Sequence, residues 1–376
     1  MRLAEQGVLT VTFPISGAVT TLLGPLLPSL ALRWSLSDAQ AGQLFLAQFL
    51  GSTLGAIGAG PLGARVGPAR LVALAYLAMG MAVAALGVTP FPGGLACVAV
   101  YGYALGTSIP TVNLLAAAGS PGGEVGRLNL LNLAWCTGAL AAPPLVAILL
   151  RAGGTGGGVA AMGGLCLVCA GACFLSLRAA ESRGGSAGHE PRPAITRRDY
   201  RAAIAAGLFQ FLYVGVENGL NGWLPLFGQR IAGAGAASSA AALSAFWGCI
   251  LAARLLASRA ASRMAPRIWV LGGLAVALAG ICLLLAGGGP APLIAGAAAA
   301  GFGLGPIFPT AVALFEQRAK AAAAPLIGFV FAAGGCGGGA LPWLIGTVSS
   351  SSGSLRTGLA TLLAAMAGML LLRRRL

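Results

Sequence analysis

Leu105-Gly106-Thr107-Ser108-Ile109-Pro110-Thr111 returns 199 residues later as Leu304-Gly305-Pro306-Ile307-Phe308-Pro309-Thr310. Working outward, Gly138 and Pro143 recur as Gly337 and Pro342, again 199 apart. Gly51, Leu54 and Arg70 recur as Gly248, Leu251 and Arg267 at an offset of 197, and Gly17 and Gly24 as Gly215 and Gly222 at 198. Single Gly matches come easily in a chain with 60 glycines among 376 residues, but four segment pairs in one order at nearly one offset do not. The chain therefore reads as two related halves.

What each half is made of follows from composition. Hydrophobic residues make up 57% of the chain and charged residues 8%, against roughly 25% charged in a soluble domain. Lipid is the solvent this implies. Crossing about 30 Å of hydrocarbon takes roughly 20 apolar residues per helix, and such stretches repeat with short Gly/Pro breaks such as Thr89-Pro90-Phe91-Pro92-Gly93-Gly94. The pattern predicts helices near 8–32, 40–62, 71–89, 95–117, 128–150, 158–177, 202–230, 237–258, 268–286, 292–315, 326–349 and 357–372. The expected architecture is an all-α integral membrane protein of twelve transmembrane helices arranged as two parallel six-helix repeats. The six-helix bundles are expected over 1–177 and 202–376, with the polar segment 178–201 as a cytoplasmic linker. The first apolar stretch, without a basic leader or a clear cleavage site, is expected to stay as a helix.

Loop cations orient the spans, because Lys and Arg concentrate on the cytoplasmic side. With the N-terminus inside, that side collects 18 of the 23 cations and the outer side 4 (Arg33, Arg151, Arg230 and Arg356), leaving Arg254 within a helix. Both termini are then cytoplasmic, in an inner (plasma) membrane. The net charge of +15 does not point to nucleic acid, since the cations are scattered over helix ends rather than gathered with aromatics on one face. The eight cysteines lie in apolar stretches and read as small packing residues, Cys166-Leu167-Val168-Cys169 included. The single histidine, His189, falls in the linker, and no metal cluster, phosphate loop or nucleophile elbow occurs in a suitable context. Neither an enzyme nor a cofactor is expected.

With the repeat and the spans in place, the chain resembles the major facilitator superfamily over essentially its whole length. Gly60-Pro61-Leu62-Gly63-Ala64-Arg65-Val66-Gly67-Pro68-Ala69-Arg70 is similar to that superfamily's Gly-x-Leu-Ala-Asp-Arg-x-Gly loop, with Ala64 where the family carries Asp. The resemblance implies alternating access by two halves, and a gating role for Arg65 and Arg70. Tyr213-Val214-Gly215-Val216-Glu217 followed by Gly222-Trp223-Leu224-Pro225 is similar to the fucose-permease-like sugar transporter branch. Gly138 to Pro143 resembles the antiporter motif of drug exporters.

Polar side chains are costly in a bilayer unless they face a cavity or a partner, so their positions sketch a pathway. Gln210, Tyr213, Glu217, Asn218 and Asn221 recur at three- and four-residue spacings on the seventh helix. Asn129 and Asn132 on the fifth, Asn113 on the fourth and Gln48 on the second add amides that both donate and accept, as a polyhydroxylated ligand needs. Trp223 and Trp247 are candidate platforms for a sugar ring. Glu217 is the candidate proton-coupling site, because burial favours the neutral form of a carboxyl and so brings proton exchange within reach. Arg254, near the cytoplasmic end of the eighth helix, is a candidate gating clamp that snorkels to water or pairs with Glu316. The reading is a secondary transporter, expected as a monomer, moving a small polar solute such as a sugar or polyol, with protons as the candidate coupling ion. Efflux of an amphipathic compound is the alternative within transport, and a non-transporting membrane receptor the alternative from another class.

Overall fold

The computed structural model describes residues 3–117, 124–177, 195–260 and 264–375, and every regular element among them is helical. The α-helices are α1 (Leu3–Thr20), α2 (Leu23–Arg33), α3 (Asp38–Val66), α4 (Pro68–Ala85), α5 (Phe91–Ala117), α6 (Glu124–Ser176), α7 (Arg197–Arg230), α8 (Ala236–Ala260), α9 (Pro266–Ala286), α10 (Pro290–Leu304), α11 (Ile307–Ala319), α12 (Ala323–Ser352) and α13 (Leu355–Leu372). A helix satisfies its own backbone, which is what hydrocarbon demands. Twelve spans result. The first is α1 and α2 together, bent by 45°; the tenth is α10 and α11; and α6 supplies the fifth and sixth as two arms about Gly154, where φ is 63°.

Proline explains both broken spans. A proline lacks the N–H that the carbonyl four residues earlier would use, and its ring crowds that carbonyl. Pro25 acts on Thr21, where α1 gives way to α2, and Pro309 acts on Gly305, where α10 gives way to α11. Pro110, the repeat mate of Pro309, leaves α5 unbroken. The difference lies at the position three residues earlier, where the tenth span has Pro306 and the fourth has Thr107 with its N–H intact.

The repeat reappears as matched backbone contacts. A Cβ added to Gly106 would sit 1.8 Å from the Ser52 carbonyl oxygen, and one on Gly305 would sit 2.7 Å from that of Ile250. Likewise Gly138 packs on the Pro14 carbonyl and Gly337 on that of Phe211, at 1.8 and 1.9 Å from the ideal Cβ position. Each pair lies 197–199 residues from its mate. Small residues are what let helix backbones approach so closely in a membrane.

The chain divides into two compact units. One takes the residues up to Ser35 and from Ala47 through α6; the other takes Leu36–Leu46 and everything from α7 onward. Helix boundaries depart from the sequence reading in one place that matters: α3 runs on to Val66, so residues 60–66 are helix, and the turn shrinks to Gly67 (φ 86°), followed by Pro68 at the first position of α4. Most of the expected linker, residues 178–194, lies outside the described residues.

Candidate functional site

The chemistry concentrates on α7. Thr196 and Asp199 form a reciprocal capping box that starts this helix. Five turns on, its polar face meets the break in the tenth span. The Tyr213 hydroxyl lies 2.7 Å from Glu217 Oε2 and 3.1 Å from the Leu304 carbonyl oxygen. Arg254 of α8 places Nη2 3.5 Å from the same Glu217 oxygen, and its Nε donates to the Gly305 carbonyl at 3.3 Å. Both groups are largely enclosed, with side chains 12% (Glu217) and 26% (Arg254) exposed.

The carbonyls explain why donors gather here. Pro309 cannot supply the helical N–H that Gly305 oxygen would accept, so Arg254 stands in for it. The first half has Ile15, Val19 and Ile57 where the second has Tyr213, Glu217 and Arg254, so this charged group belongs to one repeat alone.

The arrangement accommodates two protonation states. A phenol carries one proton and donates to one acceptor at a time. With Glu217 ionised, Tyr213 donates to the carboxylate and Arg254 balances its charge. With Glu217 protonated, the acid donates to the phenol oxygen, the phenol turns its proton to Leu304, and Arg254 keeps Gly305. In each state the phenol and Glu217 Oε2 stay bonded to one another. Against this group stands an aromatic wall: the Tyr213 and Phe308 ring centroids lie 5.7 Å apart, and Phe308 stacks on Phe331 at 6.1 Å with an 8° tilt.

The other residues singled out from sequence fall into distinct groups. Gln48 is buried with both ends of its amide engaged, donating to the Thr20 carbonyl at 2.9 Å and accepting from Tyr101 at 3.3 Å. Asn218 donates back to Val214, and Asn221 accepts from the Trp247 indole at 2.9 Å. Trp223 has no exposed face: it is wholly buried, donates to the Pro342 carbonyl and packs on Phe45. Gln210 is buried beside Gly334 of α12 with neither end of its amide bonded, and Asn113 Oδ1 is likewise buried without a partner. Asn132 is exposed on α6, whereas the Asn129 side chain lies outside the described residues. Arg65 and Arg70 are exposed on either side of Gly67, and Glu316 is exposed near the end of α11. The acid found beside Arg254 is Glu217, where the sequence had offered Glu316.

A second polar group escaped the sequence reading. Asp38, at the start of α3, pairs with Arg230 at the end of α7 at 2.6 Å and accepts from Ser349 of α12 at 2.5 Å, while Ser350 accepts from the Ala39 amide. Asp38 and Arg230 are 192 positions apart, and no local spacing links them.

Comparison with known proteins now decides the family. The model of the Major Facilitator Superfamily matches residues 9–342. The chain belongs to that superfamily. It is accordingly a multi-pass membrane transporter of major-facilitator type. Among solved structures, the POT family transporter PepTSo matches with a TM-score of 0.81 and 11% identity over 100% of this chain and 98% of that one. The E. coli fucose:proton symporter FucP, in an N-to-A variant, matches with a TM-score of 0.64 and 18% identity over 99% and 98%. At these identities the likeness is one of fold. In sequence, the enterobactin exporter EntS of Shigella flexneri is 30% identical over 120 residues, 31% of this chain. The matched stretch spans 29% of that exporter's length.

Proposed function

We propose that this major-facilitator transporter is a proton-coupled secondary transporter of a small polar solute, such as a sugar or polyol, with Glu217 as the coupling carboxyl. The observation that carries the reading is the Glu217 group itself, a nearly enclosed carboxyl whose neighbours Tyr213 and Arg254 can bond either of its protonation states. Arg254 acts as the charge that Glu217 releases or takes back. The amides with open bonding capacity, Gln210, Asn113 and Asn132, support a hydroxyl-rich solute, because each both donates and accepts. Arg65 and Arg70 are proposed as gating cations beside the Gly67 turn. The loop cations support cytoplasmic termini in an inner membrane.

Glu217→Gln keeps the shape of the side chain and cannot exchange a proton. In liposomes the variant is expected to exchange solute by counterflow yet lose accumulation driven by a pH gradient. Gradient-driven accumulation at the wild-type level would remove Glu217 from the coupling role.

One observation favours a second reading, efflux of an amphipathic compound. The Phe308–Phe331 stack beside a carboxyl suits a ligand that is flat and apolar on one side, and the partial match to an exporter points the same way. Competition in counterflow separates the two: sugars should compete under the first reading, amphipathic aromatics under the second.

A further inference from the structure

The break in the tenth span and the charged group at Glu217 occur together in one half of the chain and are missing together from the other. The matching fourth span, α5, runs unbroken through Pro110, and its half carries Ile15, Val19 and Ile57 in place of Tyr213, Glu217 and Arg254. Both halves share the close glycine contacts, so the shape of a six-helix bundle does not by itself call for the break.

The backbone chemistry says what the break supplies. In a continuous helix the Leu304 carbonyl would take the N–H of residue 308 and the Gly305 carbonyl that of residue 309. Here α10 stops at Leu304 and α11 begins at Ile307. Pro306 has no N–H for Phe302, four residues back, and its ring crowds that carbonyl; Pro309 does the same to Gly305. Side chains take the turned-out carbonyls instead: the Tyr213 hydroxyl lies 3.1 Å from that of Leu304, and Arg254 Nε donates to that of Gly305 at 3.3 Å. Each of these donors also meets Glu217 Oε2. Gly301 and Gly305 bring the second donor within reach. A Cβ on them would stand 2.2 Å from the Phe246 carbonyl oxygen and 2.7 Å from that of Ile250, so α10 lies directly on α8. Arg254, one turn past Ile250, thereby comes level with the break.

We propose that Pro306 is a positioning residue for the Glu217 group. By ending α10 at Leu304 it presents backbone carbonyls that anchor the phenol and the guanidinium on the carboxyl oxygen. Its part in coupling rests on Glu217 being the coupling carboxyl, whereas the positioning does not.

The test is Pro306→Thr, which installs the residue that the fourth span carries at the matching place and restores the N–H. The full chain, with its arginines labelled with nitrogen-15, is observed by NMR in detergent, and the Arg254 Nε–H resonance is identified by its loss in Arg254→Lys. In Pro306→Thr that resonance is expected to shift and its proton to exchange with water roughly tenfold faster, as loss of a hydrogen bond from a charged donor implies. Should this variant fail to fold, Pro306→Ala carries the same expectation. Pro290→Ala, at the start of α10, should leave the resonance in place. An Arg254 Nε–H unmoved in folded Pro306→Thr or Pro306→Ala would overturn the proposal, even with an altered melting temperature, because Pro306 would then only shape the helix. The measurement needs no solute and stands apart from the coupling test. If Glu217→Gln keeps gradient-driven accumulation while Pro306→Thr frees Arg254, the coupling reading falls and the positioning stands.

Discussion

Asn221 accepts from the Trp247 indole at 2.9 Å where both side chains are buried, so the first consequence of Asn221→Ala falls on stability. Removing an acceptor from a buried N–H costs about 1–3 kcal/mol, and thermal unfolding in detergent should show a loss of that size. Combining it with Trp247→Phe tests the pair: the double variant should be less destabilised than the two single losses added, by about 0.5–3 kcal/mol. Strict additivity would mean that the contact contributes nothing. The spacing of polar residues along α7 was legible because a helical face repeats every three or four residues. Their partners were not, since Trp247 is 26 and Leu304 is 91 positions from the α7 residues they meet. The same limit put Arg254 beside Glu316, a neighbour by helix end, when the α8 face that carries Arg254 turns to α7.

At the scale of elements, the close helix pairs make a graded prediction. Gly337→Val forces a side chain into the Phe211 carbonyl, 1.9 Å from where its Cβ would stand, and overpacking of this kind costs about 1–3 kcal/mol or more. Gly272→Ala on α9 meets nothing within 4 Å and should stabilise by about 0.5–1 kcal/mol, the usual gain over glycine within a helix. Equal effects in a melting assay would argue against the close-contact register. The positions of most helices could be read from apolar length and Gly/Pro punctuation. Which prolines break a helix could not, because Pro110 and Pro309 occupy matched positions and differ in outcome through Thr107 and Pro306. The loop motif at residues 60–70 was likewise recognisable by composition, yet its first seven residues continue α3, since one proline with flanking small residues is tolerated in a membrane helix.

For the whole molecule, the uneven spread of loop cations fixes an expected sidedness. Cysteine introduced into the 178–201 segment should react with a membrane-impermeant maleimide after permeabilisation and stay unlabelled in intact cells. Labelling from outside would reverse the topology. The double six-helix plan was legible because each half had to repeat its glycines and prolines to rebuild the same contacts. The charged group at Glu217 was half legible: its acid stood out against an apolar helix, whereas its asymmetry emerges once Ile15, Val19 and Ile57 are seen in the matching places. Asp38 stayed hidden, since an acid at a helix start ordinarily reads as a cap.

The position of the Tyr213 hydroxyl, between a carboxyl and a helix-break carbonyl, makes the phenol an internal spectroscopic probe. With Glu217 ionised the phenol is a donor alone; with Glu217 protonated it donates and accepts together, and the stretching frequency of a phenolic C–O bond distinguishes those two conditions. Five tyrosines in the chain keep the infrared background small. Ring-labelled tyrosine, compared between wild type and Tyr213→Phe across a pH series, should isolate one band that moves as the carboxyl titrates and is absent from the variant. Loading of the proton would then be visible in the unmodified protein, in real time and apart from any movement of solute.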